Sequence, residues 1–119
     1  MAAHKLIHRL RRAKPLSREE GLEILKRDRF QCQYCGLDGR QSFENALMMT
    51  VDFVIPRALK GKKDPSNLVA ACRACNLLKG RHRFASFQEA KDYVLTRREE
   101  ERRKWHTMME QTTPVKATA

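Results

Sequence analysis

Residues 72–80 of the chain read CRACNLLKG, and residues 32–35 read CQYC. A Cys-x-x-Cys pair lets two sulfurs reach one metal ion at about 2.3 Å, and two such pairs complete a closed tetrahedron. All four cysteines of the chain belong to these pairs: Cys32, Cys35, Cys72 and Cys75. The spacing therefore predicts a structural zinc site (Zn²⁺) with no open coordination position.

Paired cysteines have two other uses, disulfide bonding and redox chemistry. A secreted protein would carry an apolar run before a small-residue cleavage site, which the N-terminus lacks. A thioredoxin-like role would need a βαβ pattern around one pair, and the sequence shows none. No apolar stretch is long enough to cross a membrane. We therefore expect a cytoplasmic protein, bacterial or phage-encoded rather than organellar, with thiolates bound to metal and no membrane partner.

The length of 119 residues predicts one domain with a marginal hydrophobic core. Zinc binding supplies about 10–16 kcal/mol of apparent free energy in small zinc peptides, which exceeds the stability that such a core leaves over. We divide the chain into a basic N-terminal arm (1–16), a zinc domain (17–85), a C-terminal helix (86–111) and a tail (112–119). Trp105 forms an apolar patch with Met108 and Met109 near the end of that helix.

The net charge of +11 predicts a polyanionic partner, most often a nucleic acid. Residues 1–14 are basic and free of acid, which suits a DNA-contacting arm, a disordered tail or a presequence. Two further basic clusters follow the predicted strand and the second cysteine pair. Their expected phosphate contacts are Arg57, Lys60, Lys62, Lys63, Lys79, Arg81 and Arg83. The alternative is a solvated surface without a partner.

A capping box at Ser17 and Glu20 predicts a helix that runs to about Asp28, with Leu22, Leu25 and Ile24 supplying its apolar face. β-Branched residues predict a strand over 50–55 and a returning strand over 67–71. Residues 72–79 follow as a short helix that ends at a glycine.

A second capping box, at Ser86 and Glu89, opens a longer helix. Phe87, Ala90 and Val94 share one face of that helix and should pack on the zinc domain.

Taken together, the two cysteine pairs, the stretch 52–56 (DFVIP), the stretch 67–69 (NLV) and the residues after Cys75 resemble the HNH endonuclease family. The resemblance covers roughly residues 22–83. It implies an α+β fold: a small ββα-metal zinc finger, here with flanking N- and C-terminal helices. It also implies DNA as the partner.

The resemblance assigns roles to four residues. Asp52 and Asn76 match the positions that hold a catalytic divalent ion, Mg²⁺ or another. Asn67 matches the middle asparagine, whose side chain ties the loop and orients the catalytic strand. Phe53 stands where the family has its general-base histidine.

A phenylalanine at that position affects the expected chemistry. Its side chain accepts no proton, and losing a positioned base removes about 10²–10⁴-fold in rate, or roughly 3–5 kcal/mol of barrier. His82 is the nearest candidate for a substitute base. The expected function is an HNH-type DNA endonuclease impaired by Phe53. The alternatives are a non-catalytic, zinc-stapled nucleic-acid-binding module and a protein-interaction domain that uses Trp105 and the nearby methionines.

Overall fold

The computed structural model describes residues 15–112; most of the expected N-terminal arm and tail lie outside this range. Helix α1 spans Arg18–Arg27. The Ser17 hydroxyl accepts from the Glu20 amide at 3.1 Å, and the Glu20 carboxylate accepts from the Ser17 amide at 3.0 Å. Both halves of the predicted capping box are therefore present, and the helix stops at Asp28 as expected.

The apolar face of α1 differs from the prediction. Ile24 is its buried residue, Leu25 is half-buried and Leu22 is 40% exposed. Asp28 identifies the side of α1 that faces the sheet, because its carboxylate accepts a hydrogen bond from the Ala70 amide at 2.8 Å. Ile24 lies one turn before Asp28 on that side, whereas Leu22 is turned away from it.

The predicted strands form an antiparallel pair, β1 (Met49–Phe53) and β2 (Leu68–Cys72). In the register, Met49 is opposite Cys72 and Phe53 is opposite Leu68. Strand β1 ends earlier than predicted because backbone pairing stops after the Val54 amide, which donates to the Asn67 carbonyl at 2.9 Å. The Ile55 amide donates to the Asn67 side chain at 2.8 Å, and Pro56 has no amide hydrogen.

Residues 54–67 connect the strands through two 3₁₀ turns, Arg57–Leu59 and Pro65–Asn67. This connection folds back closely on the end of β1. A Cβ atom at Gly61 would lie 1.6 Å from the Ile55 carbonyl oxygen, so only glycine fits there.

Helix α2 (Phe43–Leu47) and helix α3 (Arg73–Lys79) flank the hairpin in sequence. Helix α3 confirms the predicted short helix: Cys72 caps its start and Gly80, at φ 63°, ends it. The sequence did not assign α2, because the apolar run of residues 46–49 has no clear period. The run is divided between the end of α2 and the start of β1.

Helix α4 (Phe87–Gln111) is the predicted long helix. The Ser86 hydroxyl accepts from the Glu89 amide at 3.1 Å, but the Glu89 carboxylate accepts from Ala85 rather than Ser86. The second capping box is thus half formed. Ala90 and Val94 are buried and the Phe87 ring lies 5.2 Å from that of Tyr34, so this face packs on the zinc domain as predicted.

The core is small and is built around the cysteines. Its buried members are Cys32, Tyr34, Val54, Ala71, Cys72, Cys75, Phe84, Ala90 and Val94. The architecture is the expected α+β arrangement of a hairpin with packed helices. In the part of the chain that the structure describes, no helix has the length and apolar character to cross a membrane.

Candidate metal centre and nucleic-acid interface

The two cysteine pairs converge on one point between the start of α3 and the loop that follows α1. The four sulfurs all lie within 4.8 Å of one another. The Cys35 and Cys72 sulfurs are 3.8 Å apart, and the edge of a tetrahedron with 2.3 Å bonds is about 3.8 Å. The four sulfurs therefore fit a zinc ion with closed coordination.

Backbone amides support each pair. The Cys35 amide donates to the Cys32 sulfur at 3.5 Å, and the Cys75 amide donates to the Cys72 sulfur at 3.4 Å. Such donors favour the thiolate form that a metal requires.

Arg98 on α4 adds a cation to the cluster. Its guanidinium donates to the Cys75 sulfur at 3.6 Å. Four thiolates around Zn²⁺ carry a net charge of −2, so a neighbouring guanidinium offsets part of it. Sequence reasoning did not single out Arg98. The available signal was a basic residue four positions after Val94, on the core-facing side of the helix.

Asp52 lies in the interior and is 4% exposed. One carboxylate oxygen accepts from the Tyr34 hydroxyl at 2.5 Å, and the other lies 3.4 Å from the Lys79 ammonium. Lys79 is 1% exposed and also donates to the Phe53 carbonyl at 3.0 Å. Burial, with the charge of Asp52, raises the pKa of Tyr34 far above its ordinary value, so this hydroxyl remains a donor.

This network does not fit a divalent ion at Asp52. Hard cations need carboxylate oxygens that are open to them, and both oxygens here have protein partners. The buried ammonium would also repel a second cation at close range. Asn76 is half-buried and lies one turn before Lys79, on the side of α3 that faces β1. The carboxylate of the expected ligand pair is thus engaged by protein groups.

Phe53 is half-buried, and the Arg57 guanidinium lies over its ring at 5.5 Å from the centroid. This is a cation–π contact at the position expected for the general base. His82 packs elsewhere: among the described residues its ring neighbours are Tyr93, at 5.2 Å, and Phe84, at 6.2 Å.

The Asn67 side chain cross-links two parts of the connection between the strands. Its side chain accepts from the Ile55 amide at 2.8 Å and donates to the Ile55 and Lys62 carbonyls at 3.0 Å each. The side chain thereby links the end of β1 to the far side of the basic loop.

The two predicted basic clusters meet on the surface. The Arg83 guanidinium donates to the Leu59 carbonyl at 3.3 Å, which joins the segment after α3 to the loop after β1. We call the exposed basic side chains of these segments the basic surface. Its members are Arg57, Lys60, Lys62, Arg81 and Arg83.

Two residues expected to contact phosphate are buried instead. Lys63 pairs with Glu20 of α1 at 3.0 Å, and Lys79 pairs with Asp52. The Lys63 ammonium is directed toward the half-buried carboxylate of Glu20 and the Lys79 ammonium toward the buried carboxylate of Asp52, so neither lies on the exposed face. Sequence reasoning missed this because both partners are distant along the chain.

The comparisons with known proteins agree with this geometry. A family model for HNH endonuclease matches residues 32–82, which contain both cysteine pairs, the hairpin and α3. No significant match is found among curated proteins or among solved structures. An HNH domain carries the chemistry of nucleases and of nucleic-acid binding, and the basic surface suits such a partner. Residues 32–82 are accordingly similar to the HNH endonuclease family, and they contain the four cysteines that converge on one possible metal position.

Proposed function

We propose that this chain is a zinc-stapled DNA-binding HNH domain in which phosphodiester hydrolysis is lost or strongly impaired. One observation carries the proposal: Asp52 is buried and bonded to Tyr34 and Lys79 beside a phenylalanine at the base position. Hydrolysis requires an activated water and a group that stabilises the leaving oxygen. Neither an open carboxylate nor a proton acceptor is offered there.

Binding rests on charge rather than on the hydrolytic centre. The basic surface joins two segments on one side of the hairpin, and the whole chain carries a net charge of +11. Contacts between basic side chains and phosphates release counterions, and they supply most of the affinity of non-specific DNA binding. We therefore expect binding that depends steeply on salt and weakly on sequence.

A metal-dependent endonuclease is the second candidate. Two observations favour it: the family match and the hydrogen bond that the Asn67 side chain accepts from the Ile55 amide. In this case Phe53 would be the single defect. Asp52 and Asn76 would hold Mg²⁺ or another divalent ion after Asp52 left its pairing with Lys79.

Nicking of supercoiled plasmid in Mg²⁺ or Mn²⁺ separates the two candidates. We expect no nicking by the parent chain and none by Phe53→His, because Asp52 stays paired in both. If only the base is missing, Phe53→His should gain on the order of 10²-fold, and adding Asp52→Ala should abolish the gain. Robust nicking by the parent contradicts the proposed loss of hydrolysis. Nicking by Phe53→His but not by the parent shows that only the base is missing, and it contradicts the view that the pairing of Asp52 prevents hydrolysis.

DNA binding is tested separately by fluorescence anisotropy across salt concentrations. Lys60→Gln with Lys62→Gln should lower the slope of log K against log salt by about 0.9 for each phosphate that is no longer neutralised. Lys26→Gln with Arg40→Gln removes the same charge from exposed positions outside the basic surface and is the matched control. An equal fall in slope in both double variants would argue against the basic surface.

A further inference from the structure

Helix α4 extends well past the zinc domain. The side of the helix that faces the core near its start therefore has no core within the described chain to pack on near its end. Ala90 and Val94 are the buried residues of this helix. Further along the same side, at helical spacing, come Arg98, Trp105 and Met109. Trp105 is 50% exposed and Met109 is 44% exposed, so the apolar stripe runs on without cover from the described chain.

A groove between α3 and α4 extends this stripe. It has a volume of about 380 Å³ and is lined by Ala74, Leu77, Leu78, Arg98, Glu101, Arg102 and Trp105. Leu77 is 81% exposed at its edge. A groove with an exposed leucine and tryptophan, continuous with two exposed methionines, has the character of an interaction surface.

The charges beside the stripe indicate what covers it. Residues 99–101 are Glu-Glu-Glu and residues 102–104 are Arg-Arg-Lys, so the sign reverses between positions 101 and 102. When two copies of this helix lie antiparallel about that point, each acidic block faces the basic block of the other copy. The same arrangement places Arg98 opposite Trp105. A parallel pair would instead set like charges against each other.

We propose that a second copy of this chain occupies the stripe, as an antiparallel helix pair with a two-fold axis near residues 101 and 102. In this register Trp105 of one copy faces Arg98, which lines the groove of the other copy, and Met108 faces the exposed side chain of Leu95. Methionine suits such a contact because its flexible thioether side chain fills irregular apolar space.

The charged blocks are free to re-pair on association. Within one copy, Arg102 pairs with Glu99 at 3.4 Å and Lys104 pairs with Glu101 at 3.3 Å. All of these side chains are exposed, and exposed ion pairs contribute little to stability. Exchanging them for pairs between copies therefore costs little, while burial of the stripe favours the dimer.

The pairing also sets the spacing of the two zinc domains. Val94 lies seven to eight residues from the proposed axis, so the two Val94 residues are about 22 Å apart along the helices. The dimer would carry one basic surface on each side of the axis, and two attached sites on DNA raise the effective affinity.

Sedimentation equilibrium of the zinc-loaded full chain, from about 1 to 100 µM, tests the proposal. We expect a monomer–dimer equilibrium. Trp105→Ala with Met108→Ala should weaken it by about ten-fold or more. Leu22→Ala truncates an exposed apolar residue on α1 and should leave it unchanged. A parent chain that stays monomeric over the whole range overturns the proposal.

Charge exchange tests the pairing without touching the apolar residues. One variant changes residues 99–101 to lysine, and a second changes residues 102–104 to glutamate. Each alone should be monomeric, because every facing pair is then of like charge. An equimolar mixture should form a heterodimer, and failure of the mixture to associate contradicts the proposed contact. Helical content and zinc content serve as folding controls.

The orientation has its own variant, in which both blocks are exchanged at once. An antiparallel pair predicts that this variant associates with itself and not with the parent chain. A parallel pair predicts the opposite. Association with the parent alone would therefore overturn the two-fold arrangement.

Discussion

The cysteine cluster and the position expected for hydrolysis both draw on the hairpin, α3 and the loop after α1, but their side chains are used differently. In the cluster, four sulfurs converge at tetrahedral spacing and backbone amides support them. At the hydrolytic position, Phe53 stands against Arg57, and the carboxylate of Asp52 is bonded to Tyr34 and Lys79.

The difference separates the requirements of the fold from those of the reaction. Tyr34 belongs to the first cysteine pair and Lys79 to α3, so Asp52 links both halves of the metal-bearing core. In this chain Asp52 therefore supports the scaffold. Under the proposed function, such links maintain the architecture of the domain while the position expected for hydrolysis lacks the groups that the chemistry needs.

The largest expected effect comes from breaking the cluster. Cys75→Ser should release the zinc and abolish cooperative unfolding, since structural zinc supplies about 10–16 kcal/mol in small zinc domains. Zinc content after dialysis and thermal unfolding by circular dichroism measure this. Ala74→Ser, at the exposed neighbouring position, should bind about one zinc per chain. A Cys75→Ser protein that folds normally without zinc would show that the cluster is dispensable.

Asp52→Asn is expected to be next in size. It keeps the shape of the side chain but leaves the Lys79 ammonium buried without a counter-ion, which costs about 3–5 kcal/mol. Urea unfolding of the zinc-loaded protein gives the free energy of unfolding.

The double variant Asp52→Asn with Lys79→Met should recover most of that loss, because it removes both charges. If Asp52→Asn leaves stability unchanged and instead weakens Mn²⁺ binding, Asp52 is a metal ligand and the contrast between the two regions fails.

Neighbouring lysines in the loop sharpen the distinction between exposed and buried charge. Lys62→Gln should lower the salt slope of DNA binding by about 0.9 and leave stability unchanged. Lys63→Gln should leave the slope unchanged and lower stability, because this side chain is buried against Glu20. Fluorescence anisotropy measures the salt slope of both variants and urea unfolding measures their stability, so together they test whether the two substitutions have opposite effects.

The smallest expected effect is a pH dependence at the start of α1. The Ser17 amide, followed by Lys63, lowers the pKa of Glu20 to about 2 from its ordinary 4.5. A depressed folded-state pKa contributes stability above about pH 4.5, and this contribution is lost as the pH falls toward 2.

Glu20→Gln should therefore lower stability by about 1 kcal/mol at neutral pH. The difference from the parent should shrink over that acidic window, as followed by urea unfolding at several pH values. A difference that stays constant down to pH 2 would assign the effect to poorer packing instead of charge.

Local signals predicted much of this molecule. The cysteine spacing, the box at Ser17 and the glycine after Lys79 each depend on residues a few positions apart, and the structure has all three. The family resemblance added the α+β class, which the hairpin and α3 confirm.

The rest depends on partners far apart in the chain. Lys63 and Lys79 are basic residues among other basic residues, and only the fold shows that Glu20 and Asp52 neutralise them. The burial of Asp52 has the same origin, since Tyr34 approaches it from the first cysteine pair. Arg98 was missed because its contact with Cys75 joins residues 23 positions apart, and no local sequence pattern predicts such a contact.

The connection between the strands has a consequence for the thermodynamics of association. The Asn67 side chain accepts one hydrogen bond and donates two, and together with the close approach at Gly61 these bonds hold the loop in one conformation before any partner arrives. A preorganised loop loses less conformational entropy on binding than a mobile one. Its phosphate contacts should therefore appear mainly as affinity, with little of their free energy spent on ordering the backbone.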